Sequence, residues 1–203
     1  MDTLFDIELQ RCTGEMPDHV VVPEGITSIA ADAFAGQRFI RTIELPSTVR
    51  EIGERAFVGC MSLKSIVLPE GLVSLGARAF RNCMDLRSIN IPASLEVIPE
   101  AAFSECAGLH HVTGGEGVYG ICAEAFSGCR NLETCEPLAH AVDIGDRAFI
   151  WCSKLEPPEF SADMVYIGEY AFRNCLKFAD VQLSPAHVEY LAPNAFEGCV
   201  KKG

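Results

Sequence analysis

No stretch of this sequence approaches the roughly 18 consecutive apolar residues that a membrane-crossing helix needs. Its start, MDTLFDIELQ, holds two Asp and one Glu but neither Lys nor Arg. The basic n-region and apolar h-region of a secretory signal are therefore missing. Positive charge is scarce: 16 Lys and Arg stand against 28 Asp and Glu, for a net charge of −12. That balance argues against nucleic acid as a partner, because phosphate backbones are held by clustered cations. There is no C-x-x-C pair and no H-E-x-x-H. The expectation is a cytoplasmic protein if Met1 is the native start, and a surface or secreted one if a signal has been trimmed. What the chain does have is 49% apolar and 22% charged residues over 203 positions, enough for a real core and too apolar for wholesale disorder.

The dipeptide Ala-Phe recurs with a fixed period. Its phenylalanines are Phe34, Phe57, Phe80, Phe103, Phe126, Phe149, Phe172 and Phe196, spaced by 23 residues except for a last gap of 24. Five residues before each stands Ile29, Ile52, Leu75, Ile98, Ile121, Ile144, Ile167 or Leu191. Three residues after comes Cys60, Cys83, Cys106, Cys129, Cys152, Cys175 or Cys199, with Gln37 alone breaking the column. Six after comes Ile40, Leu63, Leu86, Leu109, Leu132, Leu155 or Phe178. A fixed period of this length is the signature of a solenoid, whose units bury their apolar side only by stacking on one another.

Residues 60 to 80, CMSLKSIVLPEGLVSLGARAF, show one unit. Ile66 and Leu68 alternate with Ser65 and Val67, a strand pattern that Pro69 ends because proline cannot donate to a ladder. Leu72 to Leu75 reads as a second short extended segment, Gly76 as a turn, and Ala77 to Phe80 as a single helical turn. Two residues after the phenylalanine stand Gly36, Gly59, Asn82, Gly128, Asn174 and Gly198, which tolerate left-handed backbone. The units predict an α/β solenoid of about eight repeats over 23–203. Residues 1–22 are expected as an N-terminal cap, with Phe5, Ile7 and Leu9 alternating as a capping strand. After Cys199 only VKKG remains, so the last coil is weakly capped. That predicts truncation, self-association through this end, or a cap made from the last coil.

The pattern L-x-x-I-x-L-P-x-x-(I/V/L)-x-x-I-G-x-x-A-F-x-x-C, met almost fully by residues 63 to 83, resembles the BspA-like, or Treponema pallidum-type, leucine-rich repeats. The resemblance runs from about residue 20 to 199. It implies a right-handed leucine-rich-repeat coil with a parallel sheet on its concave side, and surface adhesins and host-protein binders among its members. It implies no catalytic residues. Gly114-Gly115, Pro137-Leu138 and Phe160-Ser161 replace the Leu-Pro pair in three repeats, where sheet regularity is doubtful. Ser184-Pro185 suggests a bulge or longer turn.

The ten cysteines could bind metal, form disulfides or do redox work, or be small buried packers. A stacked column offers a line rather than four convergent zinc ligands, and its parallel Cβ vectors suit no disulfide. Packing is therefore expected, with Cys122 and Cys135 as core substitutions and Cys12 a third cysteine outside the column. Gly115, Gly117 and Gly120 match G-x-G-x-x-G, but no long helix follows, so a turn is expected and no cofactor. Among His19, His110, His111, His140 and His187 no catalytic or metal-binding spacing is evident, and adjacent strand residues point to opposite sides.

The surface columns are more informative. Seven residues after each phenylalanine the sequence reads Arg41, Lys64, Arg87, His110, Glu133, Glu156, Ala179, and three further on Glu136 and Glu159 add acid. One rim of the concave sheet is thus expected to be basic at its N-terminal end and acidic at its C-terminal end, able to orient a partner. Trp151, Tyr166, Tyr170 and Tyr190 gather in the last third, and interfaces favour such anchors. These residues point to a non-enzymatic module that binds a protein partner. A thiol-based redox- or metal-responsive protein is the alternative.

Overall fold

The computed structural model describes residues 8–9, 16–181, 183 and 188–199. Phe5, Ile7, Cys12, Ser184-Pro185 and His187 lie outside the described residues.

The coils from His19 to Ile144 contribute two short strands each, and the last two contribute only the second among the described residues. The first strands are β2 (His19–Val21), β4 (Thr42–Glu44), β6 (Ser65–Ile66), β8 (Ser88–Ile91), β10 (His111–Gly114) and β12 (Thr134–Cys135). The second strands are β1 (Glu8–Leu9), β3 (Ser28–Ile29), β5 (Glu51–Ile52), β7 (Ser74–Leu75), β9 (Val97–Ile98), β11 (Gly120–Ile121), β13 (Asp143–Ile144), β14 (Tyr166–Ile167) and β15 (Tyr190–Leu191). All pairings are parallel and run coil to coil in register, as Ile43 on Ile66 and Ile121 on Ile144 show. The molecule is the parallel β-solenoid that the repeat predicts.

Both ladders are interrupted at the same level. The first strands pair as β2-β4-β6 and β8-β10-β12, the second as β1-β3-β5-β7 and β9-β11-β13-β14-β15. For the second ladder the cause is Pro99. In the other coils the residue four before the phenylalanine donates its amide to the coil below, as Gly53 does to Ile29 (2.8 Å), Gly76 to Ile52 (2.7 Å) and Cys122 to Ile98 (2.9 Å). Pro99 has no N–H to give Leu75. It also carries a ring where a Cβ on Gly53, Gly76 or Gly145 would come within 3.0 Å of the preceding coil's backbone. A groove of about 450 Å³ opens there, lined by Val73, Leu75, Val97 and Pro99 among others.

The segment expected as a helical turn is tighter than a helix. Asp32, Phe34 and Gly36 send their amides to Glu54, Ala56 and Val58 of the next coil at 2.9, 2.7 and 2.7 Å. Ala33, Ala35 and Gln37 send theirs three residues back within the coil. The alternation requires left-handed backbone two residues before the phenylalanine (Asp32, φ 57°, through Tyr170, φ 56°) and two residues after it (Gly36, φ 74°, through Gly198, φ 77°). The second site is the Gly/Asn column read from the sequence. The first is held by Asp, Arg, Ala, Glu and Tyr and carried no sequence signal, since L-residues enter this region at a cost of roughly 1–2 kcal/mol.

The phenylalanine rings stack in one file from Phe34 to Phe196, with centroids 5.0 to 5.4 Å apart and planes within 13°. Offset-stacked pairs contribute about 0.5–1.5 kcal/mol each beyond area burial. Strand pairing survives at Gly114-Gly115, where Gly114 pairs with Ile91. The irregularity expected from Pro137-Leu138 and Phe160-Ser161 appears: Glu136–Ala139 is a single 3-10 turn and no strand occupies the position of Pro157 to Phe160, while a second 3-10 turn, Leu176–Phe178, lies ahead of the strand position of its coil.

Phe80 is fully buried between Phe57 and Phe103 at 5.0 and 5.4 Å. Phe80→Ala should destabilise the chain by about 3–5 kcal/mol in denaturant unfolding. A loss below about 1 kcal/mol would place the ring outside the core. Pro99→Gly should supply the missing donor and join β7 to β9. Slow hydrogen exchange at residue 99, matching residue 76, is the expected readout.

Candidate binding surface

The rim column is built by the backbone. Buried Leu63, Leu86, Leu109, Leu132 and Leu155 anchor each coil, and the next residue opens the first strand position. That residue donates its amide to its counterpart one coil below: Lys64 to Arg41 (2.8 Å), Arg87 to Lys64 (3.3 Å), His110 to Arg87 (2.9 Å), Glu133 to His110 (2.8 Å) and Glu156 to Glu133 (3.0 Å). The structure therefore stacks Arg41, Lys64, Arg87, His110, Glu133 and Glu156 directly on one another. The file crosses the level where β6 and β8 part, at its longest bond. Arg41, Lys64 and Arg87 are exposed, and none forms an ion pair among the described residues.

The acidic end is more engaged. Glu156 meets Lys177 at 2.9 Å, and that hydrogen bond and charge raise the lysine's pKa. Glu136 accepts the amide of Gly114 at 2.6 Å. Glu159 is exposed and borders a groove of about 570 Å³ with Phe160, Met164, Val181 and Val188. The lost Leu-Pro pair at Phe160-Ser161 was the only sequence signal for that groove; Lys177 as the mate of Glu156 had none.

The aromatics do not form one patch. Tyr166 and Tyr190 stack on the second sheet at 5.0 Å. Tyr170 lies on the turn segment under Arg147 and Arg173, at 5.7 and 5.0 Å from the guanidinium carbons. Trp151 is 52% exposed with φ 67°, a left-handed conformation that its column elsewhere assigns mostly to Gly or Asn. Among the described residues no ring contact joins Trp151 to a tyrosine.

His110 Nδ1 lies 2.6 Å from the Gly108 carbonyl and His111 Nδ1 lies 3.0 Å from Thr134 Oγ1. The two rings thus serve different neighbours. Gly115 (φ 74°) leads into β11, not into a helix, as the turn reading of the glycine motif expects.

The column cysteines are engaged. Each thiol donates to the carbonyl of the phenylalanine one coil below, from Cys60 on Phe34 (3.2 Å) to Cys199 on Phe172 (2.9 Å). Gln37 holds the cysteine position in the first repeat, and its Oε1 accepts the Met16 amide at 3.3 Å. Burial pushes the thiols of Cys60 and Cys135 up to about 12 and those of Cys83, Cys129, Cys152 and Cys175 well above the usual 9. Low pKa and access make thiols reactive, so this column gives the redox alternative no support. Half-buried Cys122 is the most accessible of the described thiols; its pKa is raised by burial and by Glu100. No group of three or more His, Cys, Asp or Glu side chains among the described residues could hold a metal ion. No helix among them is long and apolar enough to cross a membrane.

Of the described thiols, Cys122 should be alkylated first in the native state, and the column thiols only on unfolding. The raised thiols also make the fold alkali-sensitive. Below pH 9 both states hold these protons and the stabilisation is complete. Above it the unfolded chain releases them while the native chain keeps them to higher pH, up to about 12 for Cys60 and Cys135, costing about 1.4 kcal/mol per thiol per pH unit. Cys60→Ala should shallow the loss of stability measured by denaturant unfolding between pH 9 and 11.

A model described as the BspA type leucine rich repeat region matches residues 17–133 and 142–202, in 6 copies. The crystal structure of the T. pallidum leucine-rich repeat protein is 31% identical, with a TM-score of 0.75 over 85% of this chain and 83% of that one. A leucine-rich repeat protein from Bacteroides ovatus is 32% identical, with a TM-score of 0.63 over 77% of this chain and 49% of its own. One from Eubacterium ventriosum, 24% identical, shares the fold with a TM-score of 0.60 over 93% of this chain and 45% of its own. This chain thus spans about half the length of the latter two. No curated protein matches it.

Proposed function

Since the chain belongs to the BspA-type leucine-rich repeat family, we propose that it is a non-catalytic protein-interaction module that binds a protein partner along the sheet of first strands. The observation that supports this reading is the stacked rim column, whose charge changes sign at His110. A one-to-one backbone ladder turns sequence order into a fixed spatial order of charge. Strand stacking at about 4.8 Å spreads the six residues over roughly 24 Å. A gradient on that scale orients a partner before contact, and reversing it costs encounter rate and register. The strand surface between the charges is small and polar, with Ser65, Ser88 and Thr134 exposed. A flat polypeptide surface can approach it closely. Trp151, held exposed in a left-handed conformation, is the second candidate contact, in keeping with tryptophan's weight at interfaces.

The test is affinity capture with the chain as bait, from the source cell's lysate and separately from extracellular proteins. The control is Glu133→Lys combined with Glu159→Lys. Glu136 and Glu156 are left intact because they hold Gly114 and Lys177. Partners should be lost with the variant. Retention of every captured protein by a folded variant would make this face bystander surface. The pool that yields the partner also tells on which side of the membrane the module acts, and whether an adhesin-like role applies.

A further inference from the structure

The rim column has a second property that a foreign partner does not require: it is antisymmetric about His110. One coil away, Arg87 on one side answers Glu133 on the other; two coils away, Lys64 answers Glu156. A two-fold rotation about an axis through His110, perpendicular to the stacking direction, exchanges these positions. Two copies related by it set Arg87 of each against Glu133 of the other, and Lys64 against Glu156. An isologous pair needs one patch that is complementary to itself. The geometry points to a second copy of this chain, docked antiparallel along this column, as the partner that fits the edge. The inference rests on the proposed use of the first-strand sheet as an interaction surface and names its partner.

Several features favour it. Arg41, Lys64 and Arg87 stack on one another without an ion-pair partner among the described residues, and like charges at strand spacing repel. Glu133 and Glu156 repel in the same way, and among the described residues Lys177 alone pairs with one of them. A second copy relieves both blocks together. In the neighbouring column the exposed His111 lies at the axis, flanked by the small Ser88 and Thr134. The next column reinforces the acidic half with Glu136 and Glu159, while Val67 and Asn90 hold those levels on the basic half. At the far end the match stops: Arg41, three coils from His110, would face the uncharged Ala179, and Glu44 lies 3.6 Å from His19.

The net charge of −12 opposes any dimer, and salt screens that repulsion along with the local attraction. Charge exchange is therefore the discriminating variable. Sedimentation of the full chain should show a monomer–dimer equilibrium. Lys64→Glu with Arg87→Glu makes the column wholly acidic around His110, and Glu133→Lys with Glu156→Lys makes it wholly basic. Each double variant alone should dimerise at least about tenfold more weakly than the parent. An equimolar mixture of the two should recover a heterodimer. All four positions are surface side chains; Glu156→Lys also releases Lys177, so circular dichroism verifies that the variants fold, and recovery of the heterodimer by the mixture shows that the acidic-to-basic variant keeps its surface.

A parent chain that stays monomeric at its highest soluble concentration overturns the inference. So does a dimer unaffected in both variants, which would lie on another face, or a mixture that fails to associate. The capture experiment separates this failure from that of the module reading. A monomeric parent that still loses a captured protein on Glu133→Lys with Glu159→Lys refutes the self-pairing alone.

Discussion

Each phenylalanine carbonyl from Phe34 to Phe172 takes two donors: the amide three residues on in its own coil, and, for all seven, the cysteine thiol of the coil above. The phenylalanine amide meanwhile donates to the alanine carbonyl of that next coil. A single position thus ties ring stacking, turn geometry and inter-coil hydrogen bonding together. This is why Ala, Phe and Cys recur together and why the period is so strict. The one extra residue, between Phe172 and Phe196, leaves the file intact: Phe196 still stacks on Phe172 at 5.2 Å and the Cys199 thiol still reaches the Phe172 carbonyl, so the added residue is taken up outside the turn segment. The only change of period lies after Phe172, beyond six uniform steps. A cysteine suits the third position because it is small, apolar and still a weak donor. Its conservation within the repeat needs no redox chemistry.

That internal constraint leaves the outer columns unconstrained, and this is where the chain individualises. Because every coil repeats the same backbone, a surface position becomes a straight file, and a drift in composition becomes a gradient. The rim running from Arg41 to Glu156 is such a drift. The same logic localises damage. Pro99 removes one donor and opens the second ladder at one level, yet the Phe80–Phe103 stack and the Cys106 thiol bridge continue past it. The first and second strands fail together there while the turn segment holds, so this level is kept closed mainly from the turn side. In the later coils the loss of Leu-Pro puts a 3-10 turn at Glu136–Ala139, directly after β12, and leaves 157–160 without a strand, beside the groove that Glu159 borders.

Period, burial and stacking were legible from the chain itself. A residue that must meet its own kind every 23 positions announces both its neighbours and its depth, so Phe80, Cys106 and Ile121 could be assigned to the core by counting. The break at Gln37 was visible too, but not its contact: its Oε1 accepts the Met16 amide. The left-handed residues Asp32, Arg55 and Arg147 were invisible, because no side-chain chemistry marks a conformation that the inter-coil ladder imposes.

The candidate surface divides along the same line. The signs and order of Arg41, Lys64, Arg87, Glu133 and Glu156 are properties of the sequence, because the 23-residue period alone aligns them. Their direct contact through the backbone, the capture of Glu156 by Lys177, the use of Glu136 to hold Gly114, and the scattering of Trp151, Tyr170 and the Tyr166–Tyr190 pair over separate sides were decided only in three dimensions. Periodicity fixes which residues share a file. Which side chains then reach across files depends on local backbone angles, and those follow from the packing of neighbouring coils rather than from any residue's own preference.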